Sequence, residues 1–152
     1  MKTINNYINE KLNISTKYSC QPKDKHELRV IIIERLAKDK NADLNDIDVS
    51  KITNMSALFY NLDPHDIDIS EWDVSNVEDM TDIFYGCRKF NSDLSYWDVS
   101  NVKLMNSMFH CCENLTCDLS KWDVSNVTHA NNMFNNCIKF NSDLSEWDVS
   151  NM

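Results

Sequence analysis

The sequence has one glycine, Gly86, and two prolines, Pro22 and Pro64. With so few, the turns must be made by Asn, Asp and Ser, whose short side chains bond nearby backbone; Asn and Asp also tolerate left-handed conformations. One glycine also excludes a glycine-rich phosphate cradle, whether dinucleotide fingerprint or P-loop. No apolar run approaches the length of a membrane-spanning helix. The first dozen residues alternate polar and apolar and lack the apolar run of a secretory signal, so the chain as written is expected to be cytoplasmic. In that setting the six cysteines are expected as thiols rather than disulfides.

Positive charge is also scarce where it matters. Residues 1–46 carry 9 Lys/Arg against 7 Asp/Glu, and residues 47–152 carry 6 against 17, balances of +2 and −11. An acidic surface of that kind repels nucleic acid and anionic lipid, so neither is expected as a partner.

What the sequence has in abundance is one phrase. Trp-Asp-Val-Ser-Asn starts at Trp72, Trp97, Trp122 and Trp147, 25 residues apart each time, with a fainter copy from Ile47. A fixed period of this length signals a repeat architecture. Each unit reads Trp-Asp-Val-Ser-Asn-Val-x-x-Met-x-x-Met/Ile-Phe-x-x-Cys-x-x-Phe/Leu-x-x-Asp-Leu-Ser-x. Trp97 and Val99 have the spacing of a strand face, whereas Val102, Met105, Phe109 and Cys112 step by three or four, as on a helix face. Ser100 stands where an N-cap belongs, and Ser75 with Glu78 resembles a capping box. The expected unit is a short parallel strand, a turn and a helix of two to three turns. The expected fold is an α/β solenoid of 25-residue coils, with units starting at 47, 72, 97 and 122 and a partial one at 147.

Upstream, Ile4, Ile8 and Leu12 suggest a short amphipathic helix over 1–12, followed by a linker to residue 21. Pro22, Asp24 and Glu27, with Leu28, Ile31, Ile32 and Leu36 at helical spacing, predict a helix from 22 to about 39. Residues 22–46 are expected to cap the stack, and 41–46 to form a polar joint.

The repeat resembles that of bacterial BspA-like leucine-rich-repeat surface proteins, over residues 47–152. The resemblance implies a right-handed leucine-rich-repeat-like solenoid and a non-enzymatic role in attachment or protein binding at a cell surface. Copies without an export signal resemble those encoded by bacteriophages or mobile elements.

No catalytic signature is found. No nucleophile elbow is present, and His26, His65, His110 and His129 share no phase. The spacing of His110, Cys111, Cys112 and Cys117 matches no standard zinc site, and no calcium loop is present. No metal or cofactor is expected. Trp72, Trp97, Trp122 and Trp147 are expected as a core ladder, and Cys87, Cys112 and Cys137 as a buried thiol ladder. Two carboxylate ladders, one from Asp73 to Asp148 and one from Asp68 to Asp143, are expected to bond backbone N–H groups.

Function is sought where the repeats differ. The residue before each Trp is Glu71, Tyr96, Lys121 or Glu146, and strand alternation faces it outward. That column, with Asp73, Asp98 and Asp123, is the expected partner-binding face for a protein ligand. An alternative is a structural or assembly subunit that self-associates through an open C-terminal edge.

Overall fold

The computed structural model describes residues 17–152. The helix expected over 1–12 and most of its linker lie outside them.

The one regular element among the described residues is α1, Lys25–Lys38. Asp24 caps it, accepting from the backbone N–H of His26 and Glu27. The Glu27 carboxylate reaches back one residue further than in a capping box and accepts from Lys23 N–H at 2.9 Å. Leu28, Ile32 and Leu36 are buried, as their spacing predicts; Ile31 is half-buried, and Val30 and Ile33 are exposed.

The rest is a stack of coils, but not the expected one. Among the described residues the repeats contain no helix and no strand, only isolated parallel bridges, such as Asn54 to Asp79, Asp79 to Leu104 and Leu104 to His129. The leucine-rich-repeat-like α/β solenoid of strand-plus-helix units is therefore corrected to a stack of turn-built coils. The physical reason lies in the backbone donors. In the unit from Trp97, the N–H groups of Met105, Ser107, Phe109 and Cys111 donate to the carbonyls of His129, Asn131, Met133 and Asn135 in the next coil, at 2.8–3.0 Å. A helix would need those same N–H groups for its own i→i−4 bonds. The residues between them close tight turns instead, such as Met108 N–H to Met105 O and Cys112 N–H to Phe109 O. A step of three or four between apolar residues is thus the period of successive turns rather than of a helix.

Those turns need left-handed residues, and the positions recur. One column is Ala57, Asp82, Ser107 and Asn132, with φ between 50° and 57°; the next is Asn61, Gly86, Cys111 and Asn136, with φ between 54° and 74°. None is β-branched, which such a backbone disfavours.

The other half of each coil consists of two five-residue sides. In Asp93-Leu94-Ser95-Tyr96-Trp97 and Asp98-Val99-Ser100-Asn101-Val102, exposed Asp precedes a buried apolar residue, then half-buried Ser, an exposed residue and a second buried one. Each side closes with a turn, Trp97 N–H to Leu94 O at 3.0 Å and Val102 N–H to Val99 O at 2.9 Å. Ser100 and Ser75 are therefore not helix N-caps. Their N–H and hydroxyl groups donate to Asp98 and Asp73, with the hydroxyl contacts at 2.6 Å.

The core is continuous along the stack. Phe59, Phe84, Phe109 and Phe134 stack with centroids 5.2, 5.6 and 5.8 Å apart. The expected tryptophan ladder is present: Trp72, Trp97 and Trp122 are buried, and the Trp72–Trp97 and Trp122–Trp147 pairs are near-parallel at 6.4 Å. Each indole N–H donates to a carbonyl of the preceding coil, as Trp97 does to Ile69 O at 3.0 Å. Cys87, Cys112 and Cys137 form the thiol ladder, each Sγ bonded to the carbonyl of the preceding coil's Phe at 2.9–3.2 Å.

The N-terminal edge is closed. Residues 41–46, expected as a joint, are the closing side of an earlier partial coil: Asp43 bridges Asp68, and Leu44 N–H donates to Asp68 O at 2.8 Å. The Arg29 guanidinium of α1 donates to the carbonyls of Ala57, Leu58 and Tyr60. In later coils the carbonyls matching Leu58 and Tyr60 accept from the preceding coil, so Arg29 supplies the donors that a coil supplies elsewhere in the stack.

Candidate binding face

The turn joining the two five-residue sides makes a corner, and its exposed residue sits at the apex. Tyr96 lies between the turn partners Leu94 and Trp97 and is 83% exposed. Glu71, Lys121 and Glu146 occupy the same place in their coils and are also exposed. Lys17, from the segment before α1, forms an ion pair with Glu71 at 2.9 Å. Asp46 is an earlier member of this column that the repeat alignment missed, because no Trp follows it. It is held by Arg35 at 2.9 Å and by Ser19.

An aspartate row runs along each side of the corner. Asp73, Asp98 and Asp123 are exposed, each with Oδ1 accepting from the N–H and hydroxyl of the Ser two residues on. Asp68, Asp93, Asp118 and Asp143 make the matching N–H contact with Ser70, Ser95, Ser120 and Ser145 at 2.9–3.0 Å. Hydrogen bonds from Ser125 hold Asp123 below the usual carboxylate range, and Ser95 does the same for Asp93. In Asp118 the Ser120 N–H has the largest effect in the same direction. In Asp93, Asp118 and Asp123 the donors fixed by the turn thus favour the ionised form despite the stacking of like charges.

The two rows are not equivalent. A groove of about 420 Å3 opens between 91–96 and 116–121, lined by Asn91, Asp93, Tyr96, Thr116, Asp118 and Lys121 among others. It unites two members of the expected column, Tyr96 and Lys121, with Asp93 and Asp118. Asp73, Asp98 and Asp123 lie outside its lining, as do Glu71 and Glu146. Asn91 and Thr116 were not among the expected site residues. Their position also varies between coils, as Asp66, Asn91, Thr116 and Asn141, and that was the available signal.

Variation is not confined to this corner. Thr53, Glu78, Lys103 and Thr128 line a second groove of about 460 Å3, where Glu78 and Lys103 pair at 2.7 Å. Tyr60, Tyr85 and His110 form a surface stack with centroids 4.8 and 4.6 Å apart.

The thiols of the ladder are guarded by burial. Burial pushes Cys87 up to about 12 and Cys137 up to about 11, and raises Cys112 further. Among the described residues, no His, Cys, Asp and Glu side chains gather into a group able to hold a metal ion, and no helix is long and apolar enough to cross a membrane.

These features define a repeat protein of stacked, turn-built coils with an acidic, groove-bearing corner. The family described as "Mycoplasma protein of unknown function, DUF285" matches residues 32–147, and the chain belongs to it. No curated protein and no solved structure matches the chain.

Proposed function

We propose that this chain is a non-catalytic binding or attachment module that meets a protein partner through the corner column Glu71, Tyr96, Lys121 and Glu146 and the flanking Asp73, Asp98 and Asp123. The observation that carries the reading is the contrast within one coil. Asp, Ser, Leu/Val and Trp recur and are tied into turns, while the apex beside them is exposed and changes from coil to coil. A rigid support under a changing outward residue suits recognition, where preorganisation limits the ordering cost of binding. The resemblance to surface attachment repeats favours the same class.

The test is comparative capture. The full chain on beads is compared with a variant carrying Glu71→Lys, Tyr96→Ala, Lys121→Glu and Glu146→Lys, after circular dichroism shows both folded. Loss of the captured proteins on the variant supports the reading; identical capture overturns the site.

A second reading, self-association, has its own observation. In the coil from Trp122 onward, Phe134, Phe140, Leu144 and Trp147 are only partly buried, Ile138 is 77% exposed and Val149 54%. Sedimentation should then show concentration-dependent dimers, weakened by Ile138→Asp. A monomer at all concentrations removes this reading.

A further inference from the structure

We infer that the groove between residues 91–96 and 116–121 binds a neutral pyranose sugar, presented by the partner, with Tyr96 as its stacking platform. This rests on the corner being the binding face and names the ligand chemistry there.

The argument is an inventory of what the groove offers. Tyr96 supplies an apolar ring face, almost wholly exposed at a rigid turn apex. Asp93 and Asp118 supply acceptors. Each uses Oδ1 for its own turn, on Ser95 N–H and Ser120 N–H at 2.9 Å, which leaves Oδ2 without a hydrogen-bond partner among the described residues. Asn91 supplies a donor: its Oδ1 accepts from Thr116 N–H at 2.7 Å and the Thr116 hydroxyl at 3.1 Å, which orients Nδ2 away from them. Lys121 supplies a second donor. The floor is closed by Cys117, whose Sγ accepts from Leu94 N–H at 3.1 Å.

Taken together, these groups reject simpler ligands. An anion would meet Asp93 and Asp118, and a cation, though drawn by those two carboxylates, would leave the Asn91 and Lys121 donors without acceptors. A purely apolar ligand would strip water from carboxylates and an ammonium without returning hydrogen bonds. A sugar ring fits all of them. Its hydroxyls both donate and accept, so neighbouring hydroxyls can engage a carboxylate and an amide together. Its C–H face can lie on an aromatic ring. The groove's volume of about 420 Å3 accommodates such a ring. Its open, shallow form fits the terminal sugar of a chain rather than an engulfed small molecule.

The experiment is a 1H–15N NMR titration of the full chain with methyl β-galactoside, methyl α-mannoside and methyl N-acetyl-β-glucosaminide. Parallel arms use a lysine-rich and a glutamate-rich peptide. The expected result is saturable shifts at 91–96 and 116–121 with at least one glycoside. Tyr96→Ala and the pair Asp93→Asn with Asp118→Asn should each weaken it by about tenfold or more, the scale of one lost aromatic or polar contact. Glu34→Gln, on the exposed side of α1 and outside the groove, should bind as the parent does. Tyr96 makes few contacts in the fold, so its substitution should leave the spectrum folded.

The inference is overturned by no saturable shift with any glycoside, by shifts elsewhere on the coil, or by unchanged binding by Tyr96→Ala. Groove binding by a charged peptide in place of the sugars also overturns it but keeps the corner as a protein-binding face. Column-dependent capture on beads with no glycoside binding separates the two in the same way.

Discussion

Replacing Arg29 with methionine keeps the aliphatic stem against the first coil and removes the guanidinium. The lost contacts are to the carbonyls of Ala57 at 2.6 Å, Leu58, and Tyr60 at 3.3 Å. Hydrogen bonds from a charged donor contribute roughly 1.5–3 kcal/mol each. The Tyr60 contact is at an exposed rim, where water replaces the donor, so we take one strong bond and a weak remainder. The expected loss is about 2 kcal/mol, with Arg29→Lys recovering about half because one ammonium cannot span three carbonyls. Urea unfolding measures the total. Hydrogen exchange locates it: amides of Met55, Ala57, Phe59 and Asn61, which bond the next coil, should lose protection before those of Met105, Ser107 and Phe109. In a stack where each coil touches only its neighbours, damage at an end spreads inward. A loss under about 0.5 kcal/mol, or protection lost evenly along the stack, would refute the view that α1 takes the place of a coil at this edge.

Other consequences are testable. A Cβ on Gly86, at φ +74°, would sit 2.1 Å from Asn61 Oδ1, so Gly86→Ala should destabilise by about 1–2 kcal/mol in thermal unfolding. Asn61→Ala in the same chain should restore part of that loss. Asp68, Asp93 and Asp118 are held below their ordinary value of 3.8, so the stability they contribute is complete above that value. It is lost as pH falls through the folded values, and melting temperature should drop below about pH 4, less steeply in Ser70→Ala with Ser95→Ala. Buried Cys87 and Cys112 should resist a thiol reagent in the native protein and react in urea, whereas half-buried Cys20 and Cys111 should react first. Rapid native labelling of Cys112 would contradict its place in the core.

The sequence revealed the period, the core columns and the end-capping helix because burial follows the repeat. Trp97, Val99, Val102 and Phe109 are buried where their phase places them. It misled on local structure. A buried residue every three or four positions is shared by a helix and by a run of turns, and spacing alone does not separate them. The residues between do: Ser107 and Cys111 in one coil and Asp82 and Gly86 in another fill the left-handed columns, where no β-branched residue occurs. The five-residue echo in Asp93-Leu94-Ser95 and Asp98-Val99-Ser100 was equally visible. As for the candidate site, the column of Glu71, Tyr96, Lys121 and Glu146 is exposed as expected, but at the apex of a turn rather than by the alternation of a strand. The groove was not, since it depends on which neighbouring rows lean together across two coils, and that brought in Asn91 and Thr116.

That five-residue echo carries a hazard. A chain with two near-identical sides per coil could wind one side out of step and still form every Asp–Ser turn. The donors that run back to the preceding coil forbid it. Trp97 must find Ile69 O, Asn101 must find Ser75 O, and Cys112 must find Phe84 O. A slip of five residues would carry Trp97 to where Val102 or Ser92 belongs and leave all three unmatched in one step. These side chains act as a proofreading comb: they add modestly to stability in the correct winding, yet they make every wrong winding fail at several teeth together.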